Sequence, residues 1–192
     1  MLPEVKIHVT EKGEKYALFD QPEVISDEIK RNGFWNMVGL DACEKILAKT
    51  DHGRVLDIGA GIGAFTVPLA TQFRDKFIFA CFEPIPELHS QLCANILLNQ
   101  IEHAKTYNYV VSNKNEVIDA PVLKIKETNN HGSYSFSQEI NTLRGMASSS
   151  ENDVFQSKTI DSFRFANVVL IKISTPGMEY EVLDGARETI KM

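Results

Sequence analysis

The chain has 192 residues, of which 43% are hydrophobic and 24% charged, and its formal net charge is -6. This length and composition suit one globular domain with a full hydrophobic core. An acidic chain gains no general attraction to a phosphate backbone, and no stretch approaches the roughly 18 apolar residues of a membrane span. We therefore expect neither nucleic acid nor a membrane as a partner.

The cysteines and histidines indicate neither a disulfide framework nor a metal site. The three cysteines are odd in number and form no CxxC pair, which indicates free thiols in a reducing compartment. The five histidines are scattered without metal-ligand spacing, so no metal is predicted. Because the N-terminus also lacks the apolar core of a signal peptide, we expect a cytoplasmic protein.

Residues 1–53 are predicted to form an N-terminal helical cap region within one structural domain. The alternating segment Val5 to Val9 predicts a short strand. A helical pattern begins at Ser26 and is stopped by Gly33, and a second one carries apolar residues at i, i+3 and i+7 from Leu40.

Residues 54–192 alternate strands and helices, which predicts an α/β fold with a parallel sheet and helices on both faces. Strands are predicted over 54–59, 77–83, 107–111 and 168–173, and helices over 63–73, 86–99 and from Thr175 onward. Glu116 to Ile125 predicts an extra strand, and Lys126 to Gln156 a long polar loop that is functional or flexible. Ligands of such sheets bind beyond the carboxyl ends of the strands.

A glycine-rich segment, DIGAGIG, follows the first of these strands from Asp57 to Gly63. Glycines permit a tight turn and let a ligand approach the backbone, and the following helix offers free N–H groups. The predicted cofactor-binding residues of this loop are Gly59, Ala60, Gly61 and Gly63. The same glycines also satisfy the looser GxGxxA pattern of dinucleotide-binding proteins, so they leave the ligand open.

Asp57 favours one of these two ligands. Its carboxylate stands at the strand end, where it can meet an ammonium group but would repel a diphosphate. The third glycine, at GxGxG spacing, agrees with this interpretation. We predict that Asp57 and the loop bind S-adenosylmethionine, with an NAD-dependent oxidoreductase and a plain tight turn as the alternatives.

Two further strand ends carry candidate binding residues. Glu83 comes 24 positions after the first glycine and is placed to accept hydrogen bonds from ribose hydroxyls, although a solvated glutamate is the alternative. Pro84 and Ile85 offer an apolar surface to an adenine ring. Ser112 or Asn113 is placed to meet the adenine amino group, but turn residues after a strand explain them equally well.

The last strand end supplies the candidate catalytic residues. Lys172 and Ser174 alternate to the same side of the strand, and Glu179 lies in the first turn of the next helix. The alternative is that Ser174 and Thr175 merely cap a helix started by Pro176.

Four blocks of the sequence, taken in order, resemble one family. The blocks are VLDIGAGIGAFTVPLA (55–70), FEPIPELHSQLCANILLN (82–99), TIDSF (159–163) and VVLIKISTPGMEYEVLDGA (168–186). They are similar to the glycine loop, the ribose-binding strand end and the closing segments of the FkbM-type family of S-adenosylmethionine-dependent methyltransferases. The resemblance implies a Rossmann-like methyltransferase sheet, S-adenosylmethionine as cofactor, and O-methylation of a hydroxyl or carboxyl group on a small metabolite, natural product or sugar.

Two departures from the family pattern limit what the resemblance implies. Members usually read KIDVEG where this chain has Ser174 and Pro176, and a serine cannot serve as a comparable base unaided. Full domains of this kind also continue through C-terminal strands that this sequence lacks. We therefore expect an exposed edge beside 168–173, which a second copy could cover, and keep a non-catalytic cofactor-binding module as the alternative function.

Overall fold

Four parallel strands organise the fold, which a computed structural model describes for residues 1–144 and 151–191. The N-terminal elements are β1 (Val5–Val9), β2 (Lys15–Phe19), α1 (Val24–Asn32) and α2 (Met37–Ala48). The central elements are β3 (Gly53–Ile58), α3 (Thr66–Gln72), β4 (Phe77–Phe82), α4 (Pro86–Leu98) and β5 (Ala104–Tyr107). The remaining elements are β6 (Val110–Val111), β7 (Val117–Pro121), α5 (Gln138–Leu143), β8 (Asn152–Lys158), β9 (Val168–Ile173), α6 (Glu179–Asp184) and α7 (Arg187–Lys191).

The main sheet has the strand order β5–β4–β3–β9, with every pair parallel. On one face, Leu69 of α3 and Leu92 of α4 pack with Phe79 of β4. On the other face, Val182 of α6 packs with Leu56 of β3. The predicted Rossmann-like sheet with helices on both faces is confirmed. The strand order reverses between β3 and β9, and sheets of this type bind ligands at that point.

The N-terminal region packs into the same core as the sheet. Hairpin β1–β2 is antiparallel, and the short strand predicted at Val5–Val9 is confirmed, although β2 was not predicted. The Ala17 N–H donates to Asn95 Oδ1 at 2.6 Å, which ties β2 to α4. Leu47 of α2 joins the core cluster of the main sheet, so the cap region consists of a hairpin as well as two helices.

The predicted third strand, Tyr107 to Val111, is wrong in its bounds. β5 ends at Tyr107 in the main sheet, whereas β6 pairs with β8 in a separate sheet of order β6–β8–β7. The chain changes direction at Asn108, whose amide donates to the carbonyls of Glu83 and Pro84, both at 2.9 Å.

The segment predicted as one polar loop, Lys126 to Gln156, contains α5 and most of β8. β8 pairs antiparallel with β7, which confirms the extra strand predicted within Glu116 to Ile125. In β8 buried Phe155 and Ser157 alternate with exposed neighbours, so the strand has a polar outer face that resembles a loop in sequence. The run Ser148 to Ser150 lies outside the described residues.

Two helices begin later than predicted. α3 begins at Thr66 rather than Gly63, because positive φ angles continue through the glycine loop up to Gly63. The last helical segment begins at Glu179 rather than Pro176. There the Met178 N–H donates to the Thr175 carbonyl at 2.8 Å, and Gly177 has φ 79°, which makes a tight turn instead of a helix.

β9 is an edge strand of the main sheet. It is the terminal strand in the sheet order formed by residues 1–144 and 151–191, as expected from the sequence. Among these same residues, no helix combines the length and the apolar character needed to cross a membrane.

Candidate functional site

A cavity of about 390 Å³ opens at the carboxyl ends of β3, β4 and β9. This volume falls in the range of roughly 300 to 1,000 Å³ that is usual for small-molecule sites. The glycine loop after β3 forms one side of the cavity, and the segments 82–85 and 172–176 form two others. Residues of α1, α2 and the segments 109–111 and 130–136 also line it.

The three glycines of the loop have positive φ angles, but their surroundings differ. A Cβ atom on Gly59 would lie 2.1 Å from the Ser174 carbonyl oxygen, and one on Gly63 would lie 2.9 Å from Leu92 Cδ1. A Cβ atom on Gly61 would meet nothing within 4 Å, and Gly61 lines the cavity. Packing against the backbone therefore requires Gly59, a side chain at Gly63 would displace Leu92, and Gly61 leaves room for a ligand.

Backbone hydrogen bonds hold the loop in place. The N–H groups of Gly59 and Ala60 both donate to the Phe82 carbonyl at 2.9 Å. The Gly61 N–H donates to Glu83 Oε2 at 2.8 Å. These three N–H groups are bonded within the protein. The loop therefore gives a ligand space beside Gly61, but these residues give it no free N–H donor.

Asp57 is fully buried and paired with a cation. Its Oδ1 accepts a hydrogen bond from Lys172 Nζ at 2.8 Å, and its Oδ2 accepts one from the Thr66 hydroxyl at 2.7 Å. Lys172 Nζ also donates to the Gly59 carbonyl at 2.8 Å. The ammonium group that meets Asp57 in this structure is thus that of Lys172, and direct binding of a cofactor by Asp57 stays a prediction.

Glu83 is buried at the end of β4, beside the predicted adenine surface. Its Oε1 accepts from the Ile85 N–H at 2.9 Å, while its Oε2 accepts from Gly61. Burial raises the pKa of Glu83 to about 7, although the two N–H bonds and the Lys172 charge partly oppose that rise. Glu83, Pro84 and Ile85 all line the cavity, so the predicted ribose and adenine residues lie together.

We expect a ligand whose hydroxyl groups donate to Glu83 to bind more tightly as the pH rises through about 7. Such donors favour the carboxylate, so binding weakens once Glu83 is protonated. If only the ionised form binds, affinity for S-adenosylhomocysteine at pH 6 should be about tenfold below that at pH 8. Calorimetry across this range measures the effect.

The matched variants for this test are Glu83→Gln and Glu87→Gln. Glu87 lies in the first turn of α4 and is not among the residues that line the cavity. The first variant should remove the pH dependence, and the second should keep it. A flat pH profile in the wild-type protein would contradict the role given to Glu83.

The structure separates the other predicted residues into two groups. Those that line the cavity are Gly59, Ala60, Gly61, Lys172 and Ser174. Those outside the lining are Asp57, Gly63, Ser112 and Glu179. The Ser112 side chain is buried against Asn113, and the Glu179 carboxylate accepts from the Gly177 N–H at 3.0 Å within the turn.

Part of the cavity lining was not predicted from the sequence. Trp35 and Cys43 reach it from the α2 region, and His131 and Tyr134 reach it from the segment before α5. His131 is buried, and its Nε2 lies 3.1 Å from the Ile125 carbonyl oxygen and 3.3 Å from the Gln21 amide nitrogen. The polar sequence HGSYS at 131–135 was the available signal, because the long polar loop that contains it was predicted to be either functional or flexible.

A family model described as the methyltransferase FkbM domain matches residues 57–192. No curated protein matches the chain.

Among solved structures, the chain is similar to P. horikoshii TYW2 in complex with MeSAdo, with 26% identity, a TM-score of 0.41, and 55% of this chain and 36% of that one covered. It is also similar to M. jannaschii TYW2 in complex with AdoMet (20% identity, TM-score 0.38, 59% and 53% covered). A third is the SAM-dependent methyltransferase from Geobacter sulfurreducens in complex with S-adenosyl-L-homocysteine (16% identity, TM-score 0.33, 45% and 37% covered). The match thus spans between about a third and a half of the length of these proteins.

Proposed function

The chain belongs to the FkbM methyltransferase family, and from that membership we propose that it binds S-adenosylmethionine and transfers the methyl group to an oxygen of a small-molecule acceptor. Acceptors of this kind are hydroxyl or carboxyl groups of a metabolite, a natural product or a sugar. The cofactor supplies a reactive sulfonium methyl, and the protein contributes mainly proximity and orientation.

One observation carries the cofactor assignment: an open glycine and a buried carboxylate face the same cavity. Gly61 and Glu83 are hydrogen-bonded to each other at 2.8 Å, and both line the cavity at the strand ends. The space beside Gly61 admits a ligand chain, and the carboxylate can accept hydrogen bonds from ribose hydroxyls. A nucleoside with a slender tail fits both features.

The same geometry counts against a dinucleotide cofactor. Dinucleotide sites bind the diphosphate through free backbone N–H groups of the glycine-rich loop and of the helix start that follows it. Here the N–H groups of Gly59, Ala60 and Gly61 are all bonded within the protein.

The acceptor side of the cavity lies between the end of β9 and the segment 130–136. Ser174 is exposed at this end of the strand and lines the cavity. Trp35, Tyr134 and Phe136 add aromatic surface. We propose that these residues select the acceptor, since they line the same cavity as the glycine loop and Glu83.

A non-catalytic cofactor-binding module is the second candidate, and the cavity lining favours it in one respect. Within the described lining, Glu83 is the one carboxylate, and both of its oxygens bind backbone N–H groups. The positions where the family carries acids hold Ser174 and Pro176. The described lining therefore offers the cofactor a carboxylate that accepts hydrogen bonds, but it offers the acceptor no further carboxylate that could serve as a base.

Calorimetry with S-adenosylmethionine, S-adenosylhomocysteine and NAD tests the cofactor assignment. We expect binding of the first two and none of NAD, and the reverse would contradict the proposal. Adenosine that lacks both ribose hydroxyls should compete poorly; equal competition would remove the role of Glu83. A donor-turnover assay on hydroxyl and carboxyl acceptors then distinguishes an enzyme from a binding module.

We also propose a cytoplasmic location and a second copy of the chain as a partner. The three cysteines are free, which fits a reducing compartment. The edge position of β9 offers unpaired backbone groups that a second copy could cover, and sedimentation of the purified chain measures whether it does.

A further inference from the structure

Lys172 presents a positive charge to the cavity at a site where the protein uses only part of its donor capacity. Its Nζ donates to Asp57 Oδ1 and to the Gly59 carbonyl, both at 2.8 Å. An ammonium group has three N–H bonds, so one remains after these two contacts. The Lys172 side chain is 23% exposed and lines the cavity, whereas that of Asp57 is 0% exposed.

The charges around Lys172 determine which ligand group it attracts. Asp57 is fully buried and is not among the residues that line the cavity, and its two oxygens already accept bonds from Lys172 and Thr66. A ligand ammonium at this point would meet the Lys172 ammonium and be repelled. A ligand carboxylate would instead gain a charge-assisted hydrogen bond, which is about twice as strong as a neutral one.

We propose that Lys172 binds the α-carboxylate of S-adenosylmethionine, and that Asp57 is a positioning residue that acts through Lys172. The proposal rests on the proposed function, since it concerns the same cofactor. It changes two roles predicted from the sequence: Lys172 becomes a cofactor-binding residue rather than a catalytic one, and Asp57 no longer contacts the cofactor ammonium directly.

The position of Lys172 fits this role. Asp57 and Lys172 are cross-strand partners in the parallel pair β3–β9, so the ion pair is built into the sheet. The contact to the Gly59 carbonyl places Nζ at the start of the glycine loop. Glu83, Gly61 and Lys172 line the same cavity, and the space beside Gly61 is open, so we place the amino-acid tail there, between a ribose at Glu83 and the Lys172 ammonium.

Decarboxylated S-adenosylmethionine provides the test, because it keeps the ammonium and sulfonium groups and lacks only the carboxylate. By calorimetry, the wild-type protein should bind S-adenosylmethionine about tenfold or more tightly than the decarboxylated compound. In Lys172→Met this preference should disappear, mainly through weaker binding of S-adenosylmethionine. Lys172→Arg, which keeps the charge, should retain part of it.

Two further variants separate this role from a purely structural one. Lys172→Met leaves the Asp57 charge buried without its partner, which is costly for folding, so the double variant Asp57→Asn/Lys172→Met, which carries neither charge, is measured as well. It should lack the preference, whereas Lys105→Met, at an exposed position on β5, should keep it.

Equal affinity of the wild-type protein for both compounds, or a preference that survives in the double variant, would overturn the proposal. Binding of neither compound by the wild-type protein would contradict the proposed function itself, so the two failures are distinguishable.

Discussion

Gly59→Ala is expected to destabilise the protein by about 3 kcal/mol or more, while Gly61→Ala is expected to cost only about 1–2 kcal/mol. Both glycines have positive φ angles, 74° and 55°, so both variants carry the strain of a left-handed alanine. The difference arises from the added methyl group. At Gly59 it would lie 2.1 Å from the Ser174 carbonyl oxygen, which is backbone.

The contact at Gly59 cannot relax without separating two strand ends. The Ser174 N–H donates to the Ile58 carbonyl at 2.9 Å and so holds β9 against β3 where the loop begins. At Gly61 the methyl group would extend into open space beside the cavity. Gly61→Ala should therefore fold and lose affinity for S-adenosylhomocysteine, because the methyl group occupies room that the cofactor needs.

Urea unfolding measures the two stabilities, and calorimetry measures the affinity of Gly61→Ala. Gly13→Ala is the matched control, since Gly13 has φ 93° with nothing within 4 Å of an added Cβ and is not a cavity-lining residue. Equal stability losses at Gly59 and Gly61 would contradict the close approach of Gly59 to Ser174. Unchanged cofactor affinity in Gly61→Ala would place the cofactor elsewhere.

The strand ends and the glycine loop of the site could be predicted, because both produce local patterns in the sequence. The apolar runs of β3 and β4 reflect burial on both faces of the sheet, so their strand ends could be located. The spacing of glycines predicted a tight loop. It could not show that Gly59 packs and Gly61 faces the cavity, since that difference depends on Ser174, far along the chain.

The features of the site that could not be predicted depend on contacts between residues far apart in the sequence. Asp57 and Lys172 were each recognised as site residues, but their pairing follows from the register of β3 with β9. His131 begins a single 3₁₀ turn and Tyr134 directly follows it, and so short a turn leaves no periodic pattern that would assign them to the cavity. The break in the predicted third strand depends on side-chain bonds of Asn108 to carbonyls of a different loop.

The chain is expected to bind the cofactor but to methylate acceptors slowly. The proposed cofactor side of the cavity has both the open glycine, Gly61, and the buried carboxylate of Glu83, which are hydrogen-bonded to each other. On the acceptor side, Ser174 and Pro176 stand where the family carries acids. Loss of a positioned base typically lowers a rate by a factor of about 10² to 10⁴.

Ser174→Asp alone is expected to recover only part of that factor. The second acid of the family pattern, two positions further on, is also missing, because Pro176 stands there. Pro176 and Gly177 form a tight turn in which the Met178 N–H donates to the Thr175 carbonyl. An acid at position 174 would stand beside this turn without its second acidic neighbour. Small errors in acceptor placement then cost further orders of magnitude, because transfer requires the oxygen close to the methyl group.

Formation of S-adenosylhomocysteine over a panel of hydroxyl and carboxyl acceptors measures the rates of the wild-type protein, Ser174→Asp and Ser174→Asp/Pro176→Glu. Ser90→Asp, at an exposed position on α4, is the control and should behave as the wild type. Wild-type turnover at about 1 s⁻¹ or faster, as is usual for enzymes, would contradict the prediction. The proton acceptor would then have to be another residue that lines the cavity, such as His131, Tyr134 or Cys43. Turnover by His131→Asn, Tyr134→Phe and Cys43→Ala would distinguish these residues, because removal of the base should abolish turnover while the affinity for S-adenosylhomocysteine and the stability stay close to those of the wild type.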